Sequence, residues 1–298
     1  MVFSLGCFFF SAALPGCLWA ASPGTPVTVG VVVSRHIKPY MQAEAGLRAF
    51  LEEQGPCEVS TFILGDSGAS DLTELAENLL AGGFKALVSI GPEATDFIWS
   101  VSDFRGVRVF TMVLSPGKVL GQPLESVSGV TLTIPIDIQL GSIQESIPSI
   151  STLGLLFNPR TNHEYFQRAQ SASQGSNIEV VPLKVNSRQD VPGVLESSWG
   201  AIDGLWLIPD RTVISKSLVE YIIKEALYQK IPVIGYNRFF YQAGAAMAFV
   251  FDYGDIGQQT GRVALAKLGG QEVSVQGAVF EVWKKDTVLE RIGLQPAQ

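Results

Sequence analysis

Residues able to do chemistry are few in this chain, and most follow runs that read as β-strands. Gly65-Asp66-Ser67 stands at the end of one such run. A serine there acts as a nucleophile only with a base to take its proton, and that base is ordinarily a histidine oriented by a carboxylate. The chain has two histidines, His36 and His163. Arg160, not an aspartate, stands three residues before His163, and His36 has no evident acidic orienter. The block therefore reads as a polar turn, and a secreted hydrolase of the Gly-Asp-Ser type is only a distant alternative to a non-enzyme. No CxxC, HExxH, P-loop, GxGxxG or GxSxG pattern occurs, so neither a metal nor a cofactor is expected.

A second set of groups suits binding. Ser34, Gly91, Ser115, Asn158, Thr161 and Thr212 stand in strand-to-helix loops. Free N–H groups and the positive dipole end of a helix suit a carboxylate or other anion. Asp210 and Arg211 follow a strand immediately and could read an ammonium and a carboxylate. Tyr236, Phe239, Phe240 and Tyr241 could supply aromatic walls. Each has a plainer reading beside it: a helix cap for the polar residues, core or hinge packing for the aromatic ones. An Asp210 that anchors a ligand amine implies that Asp210→Ala leaves the melt of the unliganded protein nearly unchanged.

The elements that must position these groups alternate. Strands are expected over 27–33, 57–64, 85–90, 107–113 and 127–133, then over 152–157, 178–185, 203–208, 231–235 and 245–251. Val27–Val33 is a near-continuous β-branched run, as befits a strand buried on both faces. Helices are expected between them. Asp71 with Glu74 three residues on reads as a cap, as does Thr161 or Asn162 before the helix ending near Ser173. The same order appears twice, in halves of about 120 residues, which predicts two parallel α/β lobes with right-handed crossovers. Thr131–Ile136, Ala248–Asp252 and Ala278–Trp283 read as three inter-lobe strands, and Ile256–Leu268 as a helix packing back on the first lobe with one modest apolar face. The expected division is 27–131 with 252–277 as lobe 1, and 135–248 with 280–298 as lobe 2. In such sheets ligands bind at the carboxyl ends of the strands, here across a cleft between the lobes.

The 298 residues carry a formal net charge of -7 without a local run of basic residues, which argues against nucleic acid as a partner. Residues 1–21 are apolar and uncharged and read as a signal peptide. Leu14-Pro15-Gly16-Cys17 is similar to the lipoprotein processing signal, whose cysteine becomes lipidated. The mature protein is thus expected outside the cytoplasm, periplasmic or tethered to the membrane by lipid.

Four segments carry a family resemblance: Leu153–Asn162 (LGLLFNPRTN), Asp203–Ser215 (DGLWLIPDRTVIS), Lys230–Asn237 (KIPVIGYN) and Phe251–Gly270 (FDYGDIGQQTGRVALAKLGG). They resemble the ABC-transporter substrate-binding family that includes the tryptophan and aromatic-amino-acid binding lipoproteins. Its pattern of Asn-Pro, Pro-x-Asp and Asp-Tyr-x-x-x-Gly-x-Gln-x-Gly is met by Asn158-Pro159, Pro209-Asp210 and Asp252, Tyr253, Gly257, Gln259 and Gly261. The resemblance implies a type I periplasmic-binding-protein fold, two Rossmann-like lobes joined by a three-segment hinge. It implies a small-molecule ligand, an amino acid or similar carboxylate-bearing compound, delivered by a monomer to an ABC permease. Its ligand positions fall on Ser34, Gly91, Asn158, Asp210 and Asn237. Lobe 1 departs from the pattern: Pro92 stands where the family has Thr, and Ser115-Pro116 where it has Asp-Pro. The alternative on the same fold is a sensor that reports ligand occupancy to a membrane receptor.

Overall fold

The computed structural model describes residues 26–65 and 68–295. The leader, Cys17, Asp66 and Ser67 lie outside the described residues.

Lobe 1 is built from β1 (Val27–Val33), α1 (Lys38–Glu53), β2 (Cys57–Ile63), α2 (Ala69–Ala81), β3 (Ala86–Ile90), α3 (Pro92–Ser100), β4 (Val107–Val113), α4 (Pro116–Leu120) and β5 (Gly129–Thr131). Lobe 2 follows with α5 (Ile136–Ser146), β6 (Thr152–Phe157), α6 (Pro159–Ser173), β7 (Glu179–Lys184), α7 (Val191–Ser198), β8 (Gly204–Leu207), α8 (Lys216–Tyr228), β9 (Val233–Gly235), α9 (Arg238–Ala243) and β10 (Met247–Val250). The chain then returns to lobe 1 as α10 (Tyr253–Leu268) and β11 (Gln276–Gly277), and ends in lobe 2 as β12 (Glu281–Lys284) and α11 (Asp286–Arg291).

The sheets run β11-β5-β4-β3-β1-β2 and β12-β10-β9-β8-β6-β7. Every pairing is parallel except β10 with β12. Central strands such as β3 and β8 are buried along their whole length, whereas the edge strand β2 alternates. Helices on both faces account for that difference, because a doubly covered strand must be apolar throughout. The lobe 1 core gathers Val29, Val31, Leu47 and Val88 around Ile256 and Val263 of α10. Leu289 of α11 joins Leu155, Trp206 and Phe249 in lobe 2. Each core is therefore completed by chain that has already visited the other lobe.

The chain passes between the sheets after β5, after β10 and after β11. The first and third passages are joined by Ala278 N–H donating to the Thr131 carbonyl at 2.8 Å. Phe251, in the second, packs against both cores. These passages are shorter than the sequence suggests. Strand pairing stops at Thr131, and Ile136, the last residue of the first expected inter-lobe strand, opens α5, a helix to which the sequence reading assigns no element. Two caps also differ. Asp71 lies inside α2, where its carboxylate accepts the Gly68 N–H at 3.1 Å. α6 begins at Pro159, ahead of Thr161 and Asn162, because Asn158 caps it and proline tolerates the first turn. Asn162 is the non-helical break within that helix, at φ -124°.

α10 explains the most specific stretch of the sequence. A Cβ on Gly257 would overlap the Ala43 carbonyl oxygen, and one on Gly46 would overlap the Gly254 carbonyl. α1 and α10 thus touch backbone to backbone, which needs glycine on both sides. Gln259 lies between Gly257 and Gly261 and grips the third passage, donating to the Gly277 carbonyl at 3.0 Å and accepting from Val279 N–H at 3.3 Å.

Candidate functional site

The carboxyl ends of both sheets face one gap. Lys118 of α4, beyond β4, meets Glu164 of α6, beyond β6, at 2.7 Å. That ion pair joins the lobes across the gap between exposed side chains. Nearer the passages, Tyr40 of α1 is electrostatically coupled to Tyr253 at the start of α10, and Tyr253 to Tyr236 beyond β9. Three phenols therefore run from lobe 1 to lobe 2.

On the lobe 1 side, Ser34 and Gly91 lie together. Ser34 is buried, and its Oγ accepts the Ala94 N–H of α3 at 2.9 Å. Gly91 has φ 94°, and a side chain there would strike Ser34 Oγ and the Tyr40 ring. Its N–H is spent on the Thr111 carbonyl at 2.9 Å. Pro92 removes another donor, since proline has no N–H. The start of α3 therefore offers an anion fewer free groups than a helix start ordinarily does. Ser115 is separate from this pair. It is exposed before α4, and its carbonyl accepts Lys118 and Val119 N–H.

On the lobe 2 side, a closed network forms around Asp210, which is 2% exposed. Its Oδ2 accepts Asn158 N–H at 2.7 Å and the Asn162 side-chain amide at 2.8 Å, and its Oδ1 accepts Thr212 N–H at 2.8 Å. Asn158 in turn accepts Arg160 N–H through Oδ1 and donates through Nδ2 to Thr212 Oγ1 and the Asn186 carbonyl. Thr161 Oγ1 donates to the Asn158 carbonyl at 3.4 Å and accepts the Asn162 amide at 3.3 Å. Asp210 thus ties the loops after β6 and β8 together, and is no free-standing anchor. Its removal would disturb the unliganded protein, contrary to the sequence-based expectation.

Tyr236 is different. Its ring packs against Phe240 at 4.5 Å, tilted by 46°, yet its hydroxyl is buried with no hydrogen-bond partner among the described residues. Burial, then the Asp210 carboxylate and Tyr253, pushes its phenol well above the ordinary value of 10.0. At the bulged end of β4, where Met112 takes φ 61°, Thr111 Oγ1 is likewise buried and unpaired. Asn237 caps α9, its Oδ1 accepting Phe239 and Phe240 N–H. The aromatic wall does not form as expected. Phe240 is buried in the lobe 2 core, and Tyr241 stacks edge-on against Trp283 at 5.2 Å. Tyr40 and Tyr253, half-buried against the lobe 1 core, are the other two phenols beside Tyr236. Tyr40 stands in the first turn of α1, in line for the cleft; nothing in its sequence setting pairs it with Tyr253. No group of His, Cys, Asp and Glu among the described residues could hold a metal.

Two parallel α/β lobes with facing strand ends and three passages between them define the type I periplasmic-binding-protein fold. The model of the ABC transporter substrate binding protein family matches residues 111–288. The chain belongs to that family, one of binding proteins and not of enzymes. It is 26% identical over 158 residues to a tyrosine-binding protein of Clostridioides difficile (strain R20291), covering 52% of this chain and 45% of that relative. The match thus spans less than half of the relative's length. Among solved structures it is similar to the ligand-free, open structure of a substrate binding protein with adhesive properties from Clostridium difficile. That likeness has a TM-score of 0.78 at 19% identity, over 90% of this chain and 95% of the other. It is also similar to a domain from Streptococcus pneumonia in complex with L-Trp, with a TM-score of 0.63 at 18% identity, over 90% and 95%. At these identities the structures show the fold alone.

Proposed function

We propose that this chain is the extracytoplasmic binding component of an ABC importer. As a monomer it takes one amino acid, or a similar carboxylate-bearing compound, between its lobes and presents it to the permease as they close. The observation that carries this reading is the Tyr236 hydroxyl, buried and unpaired between Asp210 and Tyr253. Unpaired buried polar groups are uncommon in native proteins, and a water or a ligand group that reaches one as a partner recovers the lost hydrogen bond. A polar ligand group in the cleft is such a partner. The lining of tyrosines, with Ser34 on the opposite lobe, suits a ligand with an aromatic or apolar side chain and a carboxylate. The relative named for tyrosine and the neighbour solved with L-Trp support an aromatic amino acid first.

In this reading Ser34, Gly91, Ser115, Thr161 and Asn237 frame the cleft, while Asn158 and Asp210 hold its lobe 2 wall. A thermal-shift screen with Tyr, Trp, Phe and the branched aliphatic amino acids tests it. At least one should raise the melting temperature in proportion to the logarithm of its concentration above Kd. No shift from any of them at millimolar concentration would overturn the amino-acid reading.

A further inference from the structure

Basic residues that are scattered along the sequence meet at the end of lobe 1 farthest from the cleft. A cavity of about 730 Å³ opens at the amino ends of β1, β3, β4 and β5 and the last turn of α10. Lys85, Arg105, Arg108 and Lys267 line it, against one carboxylate, Glu272. In a chain of net charge -7 this gathering runs against the composition. Two of the cations have structural duties. Arg108 donates to the Ile98 and Val101 carbonyls that end α3 and rests on the Phe104 ring, and Lys267 pairs with Glu272 at 3.2 Å. Burial, and after it the Arg105 charge beside it, pulls the Arg108 guanidinium below its ordinary value.

Lys85 and Arg105 are exposed. Among the described residues neither has an ion pair or a side-chain hydrogen bond. Trp99 also lines the cavity, and among the described residues its indole N–H makes no hydrogen bond. Like charges gathered in a concave wall raise the local concentration of anions. Arginine's planar fork suits phosphate oxygens in particular.

We propose that this cavity is a second binding site, for a phosphate-bearing anion held by Lys85 and Arg105 with the Trp99 N–H as a further donor. Two free cations match a dianion better than a monocarboxylate such as the cleft would take. Two sources share this chemistry. One is the headgroup of an anionic phospholipid, because Val27 lines the same cavity and stands six positions after the apolar run 1–21 in the sequence. The other is a soluble phosphorylated compound.

The test compares the full chain with its Lys85→Gln/Arg105→Gln variant, whose folding is checked by its melt. Inorganic pyrophosphate is titrated by calorimetry. Separately, cosedimentation is measured with phosphatidylglycerol–phosphatidylcholine vesicles against phosphatidylcholine vesicles alone. The variant should bind at least about tenfold more weakly in whichever arm responds, since it loses two charge-assisted contacts. Binding should also weaken as salt rises. A response to pyrophosphate identifies a soluble source, and a phosphatidylglycerol-dependent response alone identifies the headgroup. No response in either arm, or equal binding by variant and wild type, overturns the proposal. Amino-acid binding at the cleft should be the same in both proteins, so the two sites fail or stand separately.

Discussion

At the scale of single residues, Asp210 and Tyr236 part company. Asp210 is a strand-end carboxylate in the sequence and, in the structure, a tie that accepts three hydrogen bonds through its two oxygens. Asp210→Ala should therefore destabilise the unliganded protein by about 2–4 kcal/mol, as removing a buried charged acceptor does. A denaturant midpoint like that of wild type would refute this. Tyr236→Phe should do the reverse, stabilising the unliganded protein by about 1 kcal/mol while weakening ligand binding, because an unpaired buried hydroxyl costs folding energy that a ligand recovers. Calorimetry and melting on one preparation separate the two effects. Tyr40, Tyr236 and Tyr253 all have phenols raised by burial first. A group with a raised folded value stabilises fully below its unfolded value of 10.0 and loses that stability as pH rises through the folded value. The melt should therefore fall above about pH 10, and less steeply in Tyr236→Phe. The sequence marked Asp210 and Tyr236 as strand-end residues but could not tell them apart. The partners of Asp210 include Asn158, 52 positions away, and only the folded sheet brings them together.

At the scale of elements, the alternation of strands and helices was legible because central parallel strands must be apolar throughout. The short passages were not, since extended residues between sheets read like strand ends. α10 seemed to offer one modest apolar face, because its contact with α1 rests on absent side chains, which periodicity does not detect. Gly257→Ala should lower stability by about 1–3 kcal/mol through overpacking, although alanine favours helices in isolation. Urea midpoints check the sign, and a stabilised variant would contradict the close α1–α10 contact. Gln259→Ala removes the grip on the third passage. Its effect should appear mainly in ligand affinity, with a smaller change in the melt, measured by the same two methods.

At the scale of the whole molecule, two cores completed by crossing segments leave the lobes separately packed but joined through short passages. Such a joint favours rigid-body rotation over internal deformation. The Lys118–Glu164 pair spans the mouth of the gap between exposed groups, where solvent screens it and makes it a weak tie. The basic cavity was invisible in the sequence because its cations come from three separate segments of lobe 1. The central claim is that an amino acid is taken between the lobes and draws them together. Small-angle X-ray scattering, with and without a saturating concentration of the amino acid that gives the largest thermal shift, tests it directly. The account predicts a smaller radius of gyration and a shorter maximum dimension with ligand. Identical scattering curves with demonstrated binding would contradict it.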